Sequence, residues 1–252
     1  MGRVLGVFWA SPYTNKEKAK LPLLLVLAVI ILLAGCRGPQ TTEERELIIY
    51  EGAPIVCLGD SLTEGFGASR PYYVNKSRSY PAYLQWKIKV EVINAGITGD
   101  TAAGSLARLD RDVLSKDAQA VIILLGANDL FNQRPASNVK SDIEAIILKL
   151  QESGCKIYLA SFIGDTEWEA SVLETVSGTV YYSLAYLLPD YREMFQELSG
   201  NGNIEFISNI WKGVWGLHMS DPIHPNAIGY SIMANTIFKA IKPYLKENEL
   251  VR

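Results

Sequence analysis

Histidine and cysteine are both scarce in this chain of 252 residues, which contains two histidines and three cysteines. The cysteines form no C-x-x-C pair and no cluster with histidine, so the sequence predicts no metal site and no metal cofactor. Cys57 and Cys155 lie in or beside predicted strands, where a single cysteine is usually a small buried apolar residue. Any chemistry that needs a histidine must use His218 or His224, because the chain has no other.

Runs of basic residues are also absent. The chain carries 24 Lys and Arg residues against 27 Asp and Glu residues, which gives a net charge of −3. A net-acidic chain without a basic patch is a poor candidate for nucleic-acid binding. Charged residues make up 20% of the chain and apolar residues 48%, as in an ordinary globular protein with a sizeable core. The expected partner is a small molecule or a lipid rather than a nucleic acid, and the oligomeric state stays open.

One long apolar run stands near the start, at residues 21–34, and three lysines precede it. Such a pattern is typical of a secretory signal, whereas a membrane-spanning helix needs about 20 apolar residues. The run ends in Leu33-Ala34-Gly35-Cys36, which resembles the lipobox of bacterial lipoproteins. That resemblance implies cleavage before Cys36 and lipidation of this cysteine. The alternative is an uncleaved anchor helix in which Cys36 is an incidental thiol.

Three segments follow from this pattern. We predict a lipoprotein signal peptide over residues 1–35, a lipidated Cys36 with a tether over residues 36–53, and one globular domain over residues 54–252. Removing the first segment takes away four basic residues and one acidic residue, which changes the net charge from −3 to −6. The expected location is the cell envelope, with the domain anchored by lipid to a membrane and facing the periplasm or the exterior.

Short apolar or β-branched runs alternate with helical patterns along the predicted domain. The runs are continuous rather than alternating, which is typical of strands buried on both faces. The alternation predicts an α/β fold with a parallel sheet between helices, and it places Asp100, Gly154 and Asn226 at helix ends. The predicted strands cover residues 55–58, 90–94, 120–125, 156–161 and 204–207, and the predicted helices cover residues 81–89, 101–115, 138–153, 179–199 and 226–246.

Polar residues of catalytic type follow several of these strands. Ligands of open α/β sheets bind outside the carboxyl ends of the strands. Ser61 follows the first predicted strand, Gly99 the second and Asn128 the third, and Asp221 and His224 come after the fifth. We therefore expect all five residues to meet at one edge of the sheet.

These residue types suit acyl transfer. A serine hydroxyl needs a neighbouring base, so Ser61 is the candidate nucleophile, His224 the base and Asp221 the acid that orients its ring. The developing oxyanion needs donors, and the candidates are the backbone N–H groups of Ser61 and Gly99 with the side-chain amide of Asn128. The alternative is that these residues only form turns and helix caps.

Four segments together resemble the four sequence blocks of the SGNH hydrolases, also called the GDSL esterase/lipase family. They are GDSL at residues 59–62, ITGDT at 97–101, GAND at 126–129 and DPIH at 221–224. The stretch NAGITGDTAAGSLARL is most similar to the thioesterase/lysophospholipase/arylesterase branch. The resemblance implies a flavodoxin-like three-layer α/β/α sandwich with a five-stranded parallel sheet, no cofactor, and hydrolysis of esters or thioesters through a Ser-His-Asp triad. No G-x-S-x-G motif is present, so the elbow of the α/β-hydrolases is not the template.

Two other functions stay open at this point. Carbohydrate O-deacetylases share the same four blocks, and Trp168, Trp211 and Trp215 are candidates for lining a sugar groove, with core packing as the other role. A non-catalytic envelope lipoprotein could also keep the fold. Residues 130–134 and 164–190 depart from the family pattern beside the expected mouth of the site, which leaves substrate choice open.

Overall fold

The computed structural model describes Tyr50, residues 52–164 and residues 185–252. Cys36, the apolar run at residues 21–34 and the first part of the helix predicted at 179–199 lie outside these described residues. Within them, no helix combines the length and the apolar character needed to cross a membrane. Five parallel strands form one sheet in the order β2-β1-β3-β4-β5. They are β1 (Ile55–Gly59), β2 (Val92–Gly96), β3 (Ala120–Leu124), β4 (Lys156–Ala160) and β5 (Glu205–Ile207).

Helices cover both faces of this sheet. They are α1 (Ser61–Glu64), α2 (Tyr80–Gln85), α3 (Ala102–Ala107), α4 (Leu109–Asp112), α5 (Ala127–Phe131), α6 (Ala136–Glu152), α7 (Leu188–Ser199) and α8 (Ala227–Glu247). Helix α2 packs against α8 on one face, while α6 packs against both α3 and α7 on the other. This arrangement confirms the predicted flavodoxin-like three-layer α/β/α sandwich.

The centre of the sheet forms the core. Every residue of β1 and of β3 is buried, as expected of parallel strands with helices on both sides. Cys57 is fully buried inside β1, Cys155 is partly buried before β4, and both are free thiols, as predicted. The strand order places the carboxyl end of β1 between those of β2 and β3, at the edge where the candidate site residues were expected.

The helix before the second strand is shorter than predicted, and the strand itself begins two residues later than predicted, at the position where Gln85 binds the backbone. Helix α2 ends at Gln85, whose amide Nε2 donates to the Val90 carbonyl oxygen at 2.9 Å. Its Oε1 accepts the Val92 backbone N–H at 2.7 Å. This side chain occupies backbone groups that a strand starting at Val90 would use, and β2 begins at Val92 instead.

The predicted helix over residues 101–115 is divided at Arg108. Helix α3 ends at Ala107 and α4 covers Leu109–Asp112. Arg108 lies between the two helices, and its buried side chain reaches the carboxyl ends of β1 and β2. Its guanidinium donates to the carbonyl oxygens of Ala95 at 2.9 Å and of Gly59 at 3.1 Å. The arginine thus ties the ends of β1 and β2 together.

The prediction of Asp100 as a helix cap is wrong. Thr101 caps α3, and its hydroxyl accepts the Gly104 backbone N–H at 3.1 Å. The Asp100 carboxylate is instead bound by Arg108 Nε at 2.7 Å. The other two predicted helix ends are confirmed, because Gly154 follows Ser153 at the end of α6 with a φ of +77° and Asn226 caps α8.

Candidate active site

The candidate nucleophile, Ser61, is the first residue of α1, and one residue separates it from the end of β1. Asp60 caps this helix, and its Oδ1 accepts the Leu62 backbone N–H at 2.9 Å. Gly59 permits the tight turn, since a Cβ at this position would lie 2.1 Å from the Thr63 hydroxyl oxygen. Ser61 is therefore fixed at the carboxyl end of β1, and it is 8% exposed.

A tyrosine of α8 supports the same turn from below. The hydroxyl of the fully buried Tyr230 donates to the Phe66 carbonyl oxygen at 2.7 Å, and it lies 3.4 Å from the Ser61 carbonyl oxygen. The sequence pattern did not single out this residue, because a tyrosine on an amphipathic helix looks like any other core position.

The candidate base and acid reach Ser61 in a continuous chain of hydrogen bonds. His224 Nε2 lies 3.0 Å from Ser61 Oγ, and His224 Nδ1 lies 2.9 Å from both carboxylate oxygens of Asp221. Asp221 also accepts the backbone N–H groups of Ile223 at 3.0 Å and His224 at 2.9 Å, which makes the turn rigid. A proton on Nδ1 shared with Asp221 leaves Nε2 free to accept the serine proton.

Burial lowers the pKa of His224 below its ordinary value of 6.5, and the negative charge of Asp221 partly opposes that shift. The Phe66 ring contributes to the burial, with its centroid 4.5 Å from that of the imidazole. His224 is consequently unprotonated at neutral pH, the state in which it accepts a proton.

The two other candidate oxyanion donors, Gly99 and Asn128, line the same cavity as Ser61 and His224. Gly99 has a φ of +82°, a conformation that favours glycine. The Asn128 amide nitrogen donates to the Asp100 carbonyl oxygen at 2.9 Å and lies 3.3 Å from Asp60 Oδ2. The structure therefore brings together all five residues that the sequence placed at this edge.

Glu64 fixes the loop that carries Gly99. Its carboxylate accepts both the backbone N–H and the hydroxyl of Thr98, each at 2.7 Å, and Lys76 lies 3.4 Å from its other oxygen. A residue of α1 thus positions the neighbouring loop relative to Ser61, which lies three residues before it in the chain.

Asp60 is the buried carboxylate of the site. It is 1% exposed, and burial raises its pKa to about 7, with a further increase from the nearby Asp100 and Asp129 charges. The Leu62 N–H bond opposes that rise by favouring the charged form. In the described parts of the chain, no group of three or more His, Cys, Asp or Glu side chains is arranged to hold a metal ion.

A cavity of about 130 Å³ opens beside Ser61 Oγ and is mainly apolar. Trp211 and Trp215 both line it, and Trp211 Nε1 donates to the Phe162 carbonyl oxygen at 2.5 Å. Trp168 lies outside the described residues. The sequence pattern places residues 130–134 beside the mouth of the site without singling out Phe131, and it misses Phe162, which directly follows a predicted strand. The large apolar side chains of the lining are Leu62, Phe131, Phe162, Trp211, Trp215 and Ile223.

The sequence pattern of the GDSL-like Lipase/Acylhydrolase family matches residues 57–232, more than half of the chain. The chain belongs to this family. Esterase TesA of Pseudomonas aeruginosa is 26% identical over 225 residues, which cover 85% of this chain and 98% of that protein. Thioesterase 1/protease 1/lysophospholipase L1 of Escherichia coli (strain K12) is 24% identical over 201 residues, which cover 77% of this chain and 86% of that protein.

Solved structures of family members have the same fold. The crystal structure of the lipase/acylhydrolase from Enterococcus faecalis superimposes with a TM-score of 0.58 and 22% identity, over 77% of this chain and 97% of that one. This GDSL-family protein is accordingly a hydrolase that acts on ester bonds.

Proposed function

We propose that this GDSL-family protein is a serine esterase that hydrolyses carboxylic esters or thioesters with short apolar acyl groups through an acyl-enzyme. The observation that carries the proposal is the hydrogen-bonded chain from Asp221 through His224 to Ser61, which ends beside an apolar cavity. Nucleophile, base and orienting acid are all within hydrogen-bond reach before substrate binds.

In the first step, Ser61 Oγ attacks the ester carbonyl carbon while His224 Nε2 takes the serine proton. Asp221 stabilises the imidazolium that forms. Negative charge develops on the carbonyl oxygen, and the N–H groups of Ser61, Gly99 and Asn128 are the donors that stabilise it. The bond to the leaving group then breaks, and His224 transfers its proton to the departing alcohol or thiol.

In the second step, water replaces the leaving group. His224, which is neutral again, takes a proton from this water as it attacks the acyl-enzyme carbonyl. The same donors stabilise the second tetrahedral intermediate. The bond to Ser61 Oγ breaks, the serine regains its proton from His224, and the carboxylic acid leaves.

The cavity supports short acyl groups over both long chains and sugars. An apolar cavity of roughly 150 Å³ accepts a molecule the size of benzene, so about 130 Å³ suits an acyl chain of about four to six carbons. Its lining of aromatic and aliphatic side chains has few polar groups for sugar hydroxyls, which must be hydrogen-bonded when they are buried.

Hydrolysis of a p-nitrophenyl ester series from acetate to palmitate by the full chain tests this proposal. We expect kcat/KM to peak at butyrate or hexanoate and to fall at longer chains. A Phe131→Ala variant, which enlarges the cavity, should move the peak to longer chains. Activity on acetate alone would favour a carbohydrate deacetylase, and a peak at palmitate would contradict the assigned acyl pocket.

We also propose that the hydrolase is anchored to a membrane of the cell envelope by lipid on Cys36. The support is the lysine-rich start, the apolar run and the Leu33-Ala34-Gly35-Cys36 sequence. Expressed in a bacterial host, the parent should fractionate with membranes and gain the mass of a lipid on Cys36. A Cys36→Ser variant should lose that mass, and an unmodified parent Cys36 would contradict the anchor.

A further inference from the structure

The amide of Asn128 has no spare hydrogen in the free protein. An asparagine side-chain nitrogen carries two hydrogens. Here one points to the Asp100 carbonyl oxygen at 2.9 Å and the other to Asp60 Oδ2 at 3.3 Å. If Asn128 is to stabilise an oxyanion, one of these two contacts must be given up or shared.

The contact with Asp60 is the one to be released. Its length of 3.3 Å exceeds the usual range of about 2.7–3.2 Å for N–H···O bonds, whereas the contact with Asp100 lies inside that range. Asp100 is also held firmly, because its carboxylate is bound by Arg108 and by the Ser105 hydroxyl at 2.6 Å.

Asp60 itself cannot move away. Its side chain is buried, and Oδ1 accepts the Leu62 N–H at 2.9 Å. Its backbone carbonyl oxygen accepts the N–H groups of Thr63 at 3.1 Å and Glu64 at 2.9 Å. One fixed carboxyl group thus joins the turn that carries Ser61 to the amide of Asn128.

The chemistry of a carboxylate explains why an aspartate suits this position. Above its pKa of about 7, Asp60 is mainly an ionised carboxylate that only accepts hydrogen bonds, so the Asn128 amide turns its NH₂ group, not its oxygen, toward Asp60. The reverse rotation would place two oxygens in contact in a buried site, where an unpaired polar group is costly. The same NH₂ group is the donor that the oxyanion needs.

We propose that Asp60 is a positioning residue that sets the rotation of the Asn128 amide. When the oxyanion forms, the Asn128 N–H group that faces Asp60 is released from that contact and donates to the oxyanion instead. This inference rests on the proposed function, since it concerns the donor role of Asn128. It predicts that Asp60 acts on turnover only through Asn128, and not by forming the nucleophile turn alone.

The test is a double-mutant cycle on p-nitrophenyl butyrate with the parent, Asp60→Asn, Asn128→Ala and the double variant of the full chain. Asparagine still caps a helix, but its NH₂ group must then face either Leu62 N–H or the Asn128 NH₂ group. We expect Asp60→Asn to lower kcat about 10–100-fold with KM changed less than about twofold. Asn128→Ala should lower kcat about 10²–10³-fold, and Asp60→Asn should add no further loss in that background.

Two results would overturn the inference. One is a kcat of Asp60→Asn equal to that of the parent, and the other is a loss that multiplies with that of Asn128→Ala. Asp60→Ser, which keeps a capping oxygen but is too short to reach Asn128, gives the same comparison if Asp60→Asn does not fold. An Asn128→Ala variant as fast as the parent would instead refute the oxyanion role in the proposed function, so the two failures are distinguishable.

Discussion

Replacing Ser61 by alanine is expected to lower kcat on p-nitrophenyl butyrate by roughly 10⁶-fold. The activity that remains is what the oxyanion donors and substrate binding supply without a nucleophile. Ser61 Oγ lies 3.0 Å from His224 Nε2, and the variant has no nucleophile for that base to activate. The variant should fold normally, because the side chains that hold the turn belong to Asp60 and Tyr230. Thermal unfolding of the two proteins checks that expectation.

A His224→Ala variant should be as slow as Ser61→Ala, and the double variant no slower than either, because the two residues act as one unit. The scarcity of histidine supplies a matched control. His218, the other histidine, is not among the residues that line the cavity, so His218→Ala should keep turnover close to that of the parent. If His218→Ala were inactive while His224→Ala kept its activity, the assigned base would be wrong.

Replacing Asp221 by asparagine is expected to lower kcat about 10⁴-fold. Asparagine can still accept the backbone N–H groups of Ile223 and His224, so the turn should persist. Its NH₂ group, however, favours the imidazole tautomer with the proton on Nε2. That proton would face Ser61 Oγ, and the ring could no longer take the serine proton.

The pH dependence of kcat/KM shows whether Asp221→Asn is slow because His224 has the wrong tautomer or because its pKa has changed. Burial lowers the pKa of His224 below 6.5, so kcat/KM should rise with pH as His224 loses its proton, with the midpoint of that step below 6.5. Asp60, with a pKa of about 7, also titrates, so the His224 step is measured in the Asp60→Asn background, which lacks that ionisation. Asp221 raises the pKa of His224, and removing its charge should move the midpoint to lower pH. Raising the pH should therefore not restore the Asp221→Asn variant. Recovery at high pH, or a midpoint above 6.5 in Asp60→Asn, would contradict this assignment.

The position of the candidate site could be predicted from the sequence, because the ends of strands are visible in short stretches of sequence. The apolar runs that end at Leu58 and Leu125 predict where the chain leaves the sheet, and Ser61 and Asn128 each lie three residues after the end of such a run. The Asp-Pro-Ile-His turn brings acid and base together within four residues, and the structure confirms the edge at which they meet.

Long-range contacts explain what the sequence did not show. Arg108 interrupts a helical pattern because its guanidinium is used by carbonyl oxygens of β1 and β2, which no local periodicity reveals. Gln85 binds the Val90 carbonyl oxygen and the Val92 backbone N–H, and β2 begins at Val92 instead of at Val90. The link from Asp60 to Asn128 spans 68 positions in the chain, so only the folded structure shows it.

Labelling with a fluorophosphonate, followed by peptide mass analysis, tests the central claim most directly. We expect one adduct per chain, on Ser61, with no adduct in Ser61→Ala and slow labelling in His224→Ala. A folded parent that is not labelled, or that is labelled on another residue, would contradict the assignment of Ser61 as the nucleophile.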